Sequence, residues 1–322
     1  MTLTESLLSM GGGVLLLLAG AEGLVRGASA LALRMGITPL VVGLTVVAIG
    51  TSSPELVVSV QAALSGEGGV AIGNVVGSNI ANLGLIVGVA AVLSPMAVDQ
   101  KLVRHDLPIM LLSMGVLVVF LLDGTLARWE GGLLLAAAVA YTVNGIRTSR
   151  REVREAKAAE AALPPEVADA LAEASVGFKR HILLVVGGIA LLVYGADRLL
   201  AGAVAVASQL GVSEAVVGLT LVALGTSLPE LATTIVAARR GEAEIALGNA
   251  VGSNIFNVFS VLGPAALAAP IRATGVGADV LTIMVAFGLV TLLFLFTGGR
   301  TRRWEGVVLL LGYVGYIWWL VP

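Results

Sequence analysis

Two glutamates set inside apolar stretches carry the chemistry available to this chain. Glu55 ends Ala48-Ile49-Gly50-Thr51-Ser52-Ser53-Pro54-Glu55, and Glu230 ends Ala223-Leu224-Gly225-Thr226-Ser227-Leu228-Pro229-Glu230, 175 residues later. A second polar motif follows each: Gly73-Asn74-Val75-Val76-Gly77-Ser78-Asn79-Ile80-Ala81-Asn82 and Gly248-Asn249-Ala250-Val251-Gly252-Ser253-Asn254-Ile255-Phe256-Asn257. Pro54 has no N–H for the carbonyl of Gly50 and its ring crowds that turn, so a helix must open or bend there. A carbonyl freed at membrane depth needs a binding partner, and a desolvated cation suits that role. Thr51 and Ser52 add hydroxyl oxygens and Glu55 a full charge. Ser78 and Asn82, four residues apart, share one helix face, as do Ser253 and Asn257. An amide oxygen and a hydroxyl on one face in both copies favour ligation over simple helix packing. Asn74, Asn79, Asn249 and Asn254 fall on other faces and read as packing or helix-bonding residues.

The energetics point to a cation. One acid at the centre of a membrane helix costs roughly 2.5 to 3.5 kcal/mol on insertion scales. Two carboxylates within about 5 Å repel by roughly 3 kcal/mol more at an effective dielectric of 20. No Lys or Arg lies inside these stretches, so a salt bridge would need Arg26 or Arg198 to reach in. Carboxylates with neutral oxygens suit calcium, which takes six to eight oxygen ligands in flexible geometry; magnesium sheds water reluctantly and suits the set less well. With no cysteine, and with His105 and His181 at the ends of apolar runs, a soft-metal site has nothing to be built from.

These groups need a membrane scaffold. A hydrophobic fraction of 57% against 12% charged residues describes an integral membrane protein rather than a large soluble core. The apolar runs predict ten spans, near 7–32, 38–64, 70–94, 103–122, 128–147, 180–208, 213–238, 245–268, 278–297 and 303–321. Gly36–Gly88 aligns without a gap on Gly211–Gly263, with 28 of 53 positions identical, so the two sets of five spans are read as repeats. Five crossings per copy make the second copy enter from the opposite side, an inverted-topology repeat. The expected fold is therefore an all-α polytopic membrane protein of ten transmembrane helices in two inverted five-helix repeats, with helices 2, 3, 7 and 8 broken. Residues 1–147 form the first repeat, 148–179 a cytoplasmic linker with short surface helices, and 180–322 the second repeat.

Charge placement sets the orientation. With the N-terminus outside, fifteen Lys and Arg fall on cytoplasmic loops, and only Arg128 and Arg272 on external ones. Both termini are thus expected outside, in a multi-pass protein of the cell membrane. Met1–Ser9 has no basic residue ahead of its apolar run, which argues for a retained first helix rather than a cleaved leader. Arg150, Arg151 and Arg154 could touch anionic lipid heads. Glu22 with Arg26 reads as a neutralised pair. Trp304, Tyr313, Tyr316, Trp318 and Trp319 read as interfacial anchors of the last span.

Paired Gly-Thr-Ser-x-Pro-Glu with paired Gly-Ser-Asn-Ile-x-Asn resembles the calcium/cation antiporter superfamily, most of all its sodium/calcium exchangers of the prokaryotic type, without a regulatory domain. The resemblance covers nearly the whole chain. It implies that Glu55 and Glu230 bind calcium and also serve sodium. It implies that Thr51, Thr226 and the carbonyls of Ala48 and Ala223 complete the calcium shell or the outer sodium sites. Ser52, Ser78, Ser227 and Ser253 would complete sodium sites on either side, with Asn82 and Asn257 at the midplane. Proton-coupled relatives carry Gly-Asn-x-x-Glu where this chain has Gly77 and Gly252, and potassium-dependent relatives an acid where it has Asn257.

The expected function is an antiporter that exchanges sodium for calcium by alternating access, in which long, loosely packed spans one and six slide past a midplane site. An empty site would leave two unpaired carboxylates to be sealed from water, so loaded forms switch and empty ones do not. No covalent chemistry, cofactor, nucleic acid or obligate protein partner is called for; the lipid bilayer and the two ions are the partners. A calcium/proton antiporter on the same fold is the alternative, and a cation channel a more distant one.

Overall fold

The structure, a computed structural model, describes residues 2–160, 178–210 and 223–320. The expected span over 213–238 lies partly outside these residues, and the linker over 148–179 largely so. The order is α1 (Leu3–Met35), α2 (Pro39–Thr51), α3 (Ser53–Leu64), α4 (Gly68–Leu93), α5 (Leu102–Asp123), β1 (Thr125–Leu126), α6 (Arg128–Glu160), α7 (Phe178–Gln209), α8 (Ala223–Thr226), α9 (Leu228–Arg239), α10 (Ala243–Ala268), β2 (Ile271–Arg272), α11 (Ala278–Gly298) and α12 (Arg303–Leu320). Among the described residues, α1, α4, α5, α7, α10 and α11 are each long and apolar enough to cross a bilayer. The segments α2 and α3 make a seventh span when joined across their 48° bend. The chain is an all-helical membrane protein.

Burial separates a centre from a rim. Within their most apolar stretches α10 is 94% buried and α4 78%, against 33% for α1 and 28% for α7. Leu8, Leu15 and Leu183 stand exposed on that rim, a lipid-facing surface for a chain of this composition. The polar motifs of α4 and α10 therefore sit where lipid does not reach.

The rim helices are not loosely packed against each other. Gly13, Gly20 and Gly27 of α1, seven residues apart, face Gly195, Gly188 and Val185 of α7 in descending order, so the two helices run antiparallel. A Cβ on Gly20 would lie 2.7 Å from the Gly188 carbonyl oxygen, and one on Gly188 2.7 Å from that of Gly20. Small residues let backbones approach this closely, and dispersion replaces the missing hydrophobic drive in lipid. The expectation of loose packing is corrected on that point.

Three further expectations change. The α4 and α10 helices are continuous, each with one π-helical turn, at Asn82–Ile86 and Asn257–Val261, rather than broken. Helix α6 continues past residue 147 to Glu160, because Ile146–Glu160 contains no Gly or Pro and Arg151 pairs with Glu155 one turn on, at 2.7 Å. Tyr313 and Tyr316 are buried against the protein at 7% and 9% exposure, whereas Trp304, Trp318 and Trp319 are exposed and suit the anchoring role.

Short strand pairings tie the copies together. Thr125 and Leu126 pair with Arg272 and Ile271, and Ala97 pairs with Arg300. Shifted by 175 residues, the Thr125–Arg272 pairing becomes the Arg300–Ala97 pairing, so the same contact is made twice with the copies exchanged. Gly131 of α6 meets the Gly263 carbonyl of α10, and Gly306 of α12 meets that of Gly88 on α4, a second contact exchanged in the same way.

Candidate functional site

The α2–α3 break comes at Ser52, where the backbone leaves helical geometry at φ −81°, ψ 10° and Pro54 takes a first-turn position of α3. The Gly50 carbonyl that Pro54 leaves without its helical donor accepts the Ser53 hydroxyl at 2.8 Å. A neighbouring side chain supplies what the sequence reading assigned to a cation. The second copy breaks at Ser227, φ −88°, ψ 4°, with Pro229 in the same position of α9. Leu228 stands there in place of Ser53 and has no hydroxyl to offer.

Each break is braced by an asparagine of the following helix. Asn74 donates to the Glu55 carbonyl at 3.3 Å and to Ser59 Oγ at 3.0 Å. Asn249 does the same for the Glu230 carbonyl at 3.4 Å and Thr234 Oγ1 at 3.0 Å. Their amide oxygens reach across: Thr51 Oγ1 donates to Asn249 Oδ1 at 3.1 Å, and Thr226 Oγ1 to Asn74 Oδ1 at 3.5 Å. Asn74 and Asn249 are thus structural keystones, consistent with a bonding role. Their recurrence at the 175-residue offset beside each Glu was the signal for it.

At the centre, Ser52 Oγ donates to Glu230 Oε1 at 2.9 Å and Ser78 Oγ to Glu55 Oε1 at 3.5 Å, while Ser227 Oγ donates to Ser78 Oγ at 3.3 Å. Glu55 and Glu230 are each 1% exposed. Among the described residues no Lys or Arg pairs with either acid: Arg26 is held by Glu22 at 2.6 Å and Arg198 by Asp197 at 3.3 Å. Glu22 also receives Arg240, at 2.5 Å. Nor do the described residues hold a cluster of three acidic or histidine side chains. The negative charge of the site rests on two glutamates.

Five buried oxygens of this set have no hydrogen-bond partner among the described residues: Glu55 Oε2, Glu230 Oε2, Asn82 Oδ1, Asn257 Oδ1 and Ser253 Oγ. Buried polar atoms are nearly always satisfied, so five orphans in one cluster, two of them carboxylate oxygens, mark a place for a positively charged ligand. Asn257 is held through its Nδ2, which donates to Asn79 Oδ1 at 3.1 Å and leaves the amide oxygen without a partner among the described residues. The Ala48 carbonyl differs: it already accepts the Ser52 N–H at 3.0 Å, with Thr51 Oγ1 at 3.4 Å. The Thr51 hydroxyl has one proton and gives it to Asn249 at the shorter distance, so the Ala48 carbonyl keeps one lone pair for a ligand. The side chain of Ala223 lies outside the described residues; its backbone opens α8.

Comparison with known proteins gives one answer. The family model described as sodium/calcium exchanger protein matches residues 5–146 and 180–321. The sodium/calcium exchanger MaX1 of Methanosarcina acetivorans is 36% identical, over 95% of each chain. The inner membrane protein YrbG of Escherichia coli is 37% identical, over 96% of each. Among solved structures, the sodium-calcium exchanger NCX_Mj soaked with Na+ and Sr2+ superposes with a TM-score of 0.84 at 29% identity, over 98% of each chain. Orphaned acids at the centre of an all-helical membrane protein, and matches that run nearly end to end, lead to one conclusion: this chain belongs to the sodium/calcium exchanger family, a family of ion antiporters rather than enzymes.

Proposed function

We propose that this protein exchanges Na+ for Ca2+ by alternating access around the Glu55–Glu230 cluster. The observation that carries the reading is the set of five orphaned oxygens around two buried, unpaired glutamates. Calcium draws on both glutamates with Thr51, Thr226 and the Ala48 carbonyl; the Ala223 carbonyl is its counterpart. Sodium ions draw on the same acids with Ser52 and Ser78 on one side and Ser227 and Ser253 on the other, and Asn82 and Asn257 lie between. Either load neutralises the acids and lets the closed form pass through lipid depth.

Ten spans in two inverted repeats supply the two access states, supported by the antiparallel run of α1 against α7 and by the contacts exchanged between copies. The α1–α7 pair, joined backbone to backbone, slides as one body. The protein lies in the cell membrane with both termini outside, on the Lys/Arg distribution. Sodium rather than proton coupling is supported by Gly77 and Gly252 standing where proton-coupled relatives carry a glutamate; a Cβ at Gly252 would lie 2.7 Å from the Leu44 carbonyl oxygen, whereas at Gly77 it would meet open space.

Calcium uptake into liposomes containing the purified protein tests this directly. An outward sodium gradient is expected to drive uptake that Glu55→Gln abolishes. Uptake driven by a proton gradient and indifferent to sodium would overturn the coupling, and a calcium conductance without counterflow would overturn the exchanger reading itself.

A further inference from the structure

Among the described residues three carboxylates are buried outside the exchange cluster: Glu130 and Glu305, which accept the backbone N–H groups of Ala127 and Arg302 at 2.7 Å each, and Asp106. Asp106 closes the π-helical turn Leu102–Asp106 at the start of α5 and is 3% exposed. Tyr141 of α6 donates to its Oδ1 at 2.9 Å, and its Oδ2 has no partner among the described residues. That carboxylate lines a partly open cavity of about 20 Å³, with Thr45, Lys101, His105, Tyr141 and Thr148 also in its wall. About one water molecule fits in that volume.

The charges around the cavity select the ligand. On its own element and just before it, Asp106 has Lys101, Arg104, His105 and Asp99; Lys101 is engaged by Glu152 of α6 at 2.9 Å, and its N–H by Asp99 at 2.6 Å. From α6 come Tyr141 and Glu152, and from the start of α10 comes Glu244, which accepts the Leu40 N–H at 3.1 Å. The adjoining turn of α2 offers Thr45, whose hydroxyl is already given to the Val41 carbonyl. The only charged residue of α11 is Asp279, in its first turn. One carboxylate oxygen, a one-water volume and basic neighbours cannot replace the shell of a metal cation, whereas a proton needs only one oxygen.

We propose that Asp106 is a proton-binding site separate from the exchange cluster, with Oδ2 as the acceptor and Tyr141 as the link to α10. Proton uptake forms the Oδ2–H bond and neutralises the carboxylate, which weakens the charge-assisted bond from Tyr141. The Tyr141 ring packs edge-on against Phe256 at 6.2 Å, and Phe256 precedes Asn257 in the chain, so the change is felt one residue from the orphaned amide. The binding step stands independently of the exchange reading, and only its coupling to flux rests on it.

Infrared difference spectra of the purified protein in lipid, recorded between two pH values, test the binding. A protonated-carboxyl band lost in Asp106→Asn and moved to a higher pH range in Tyr141→Phe is expected, since the carboxylate then lacks its donor. An unchanged band in Asp106→Asn would overturn the site. Sodium-driven calcium uptake is then measured while pH is varied only on the face that carries Lys101 and Arg104. Flux is expected to change roughly fivefold, the scale by which a charge-assisted hydrogen bond exceeds a neutral one. In Asp106→Asn it should be flat, with the His105→Gln response intact. A response that survives in Asp106→Asn or disappears in His105→Gln would overturn the coupling.

Discussion

The two copies of the ion motif share their residues but not their bonds. Glu230 takes a 2.9 Å bond from Ser52 of the other copy, whereas Glu55 takes a 3.5 Å bond from Ser78 of its own. Ser78 is further engaged by Ser227, while its equivalent Ser253 has no partner among the described residues. Asn79 reaches Asn257 across the centre, while its equivalent Asn254 turns back on the Ala250 carbonyl of its own helix at 2.7 Å. Matched motifs thus sit in unequal networks: the serine of one copy is engaged where its equivalent is not, although each copy keeps a glutamate oxygen and an asparagine oxygen free among the described residues. The braces, by contrast, are alike in both copies, with Asn74 and Asn249 making matched bonds. The frame is symmetric and the contents are not.

Substitutions at equivalent positions break or sharpen this comparison. The largest effect is expected where the copies are alike in role. Glu55→Gln and Glu230→Gln should each lower sodium-driven calcium uptake about a hundredfold or more, the scale of removing one partner from a buried charge cluster. Near-normal uptake in either would remove that residue from the site. Next come the braces: Asn74→Leu and Asn249→Leu each strip a Glu carbonyl and a hydroxyl of their donor and should destabilise by about 2 to 3 kcal/mol, read as equal losses of melting temperature in detergent. A clear inequality between them would show that the frame is not symmetric after all.

Smaller effects should expose the asymmetry. Gly20→Ala forces a methyl against the Gly188 carbonyl and should cost about 1 to 3 kcal/mol, with Gly188→Ala matching it. Ser53→Ala leaves the Gly50 carbonyl without a donor and should cost about 1 to 2 kcal/mol, while Leu228→Ala at the equivalent position removes no such bond. Both Ser78→Ala and Ser253→Ala should alter sodium dependence, but Ser78→Ala, which also removes the donor to Glu55, should in addition shift calcium half-saturation by roughly fivefold, on the scale of a hydrogen bond to a charged group. Equal calcium effects from the two serines would show that the unequal bonding has no functional counterpart. At the bottom of the order, Arg26→Gln at the exposed Glu22 pair should change stability by less than about 1 kcal/mol.

Much of the site was legible before any coordinates because burying an acid in lipid is expensive. Few sequences keep a Glu in an apolar run without a reason, and the Pro beside it announces the bend. A bend beside Pro54 and a site at Glu55 and Glu230 were expected from residue type; the 48° angle and the depth of burial come from the packing. The Ser53 bond to Gly50 was not foreseen, because an i+3 hydroxyl competes with a cation for the same carbonyl and only geometry decides which is in place. Nor did periodicity separate Tyr313 and Tyr316 from the neighbouring tryptophans, since an amphipathic ring suits an interface and a protein seam equally well.

The sequence by itself determined an all-helical membrane chain, its duplicated motifs and the oxygen character of its site, because transfer energies and ligand hardness belong to residue types. Only the tertiary structure decided which oxygens are spent on hydrogen bonds and which are left free. The 175-residue repeat treats Ser78 and Ser253 as equal, and the packing of one copy against the other makes them different. The seam of α1 on α7 was decided in the same way, because seven-residue glycine spacing marks a close face but not the helix that will meet it.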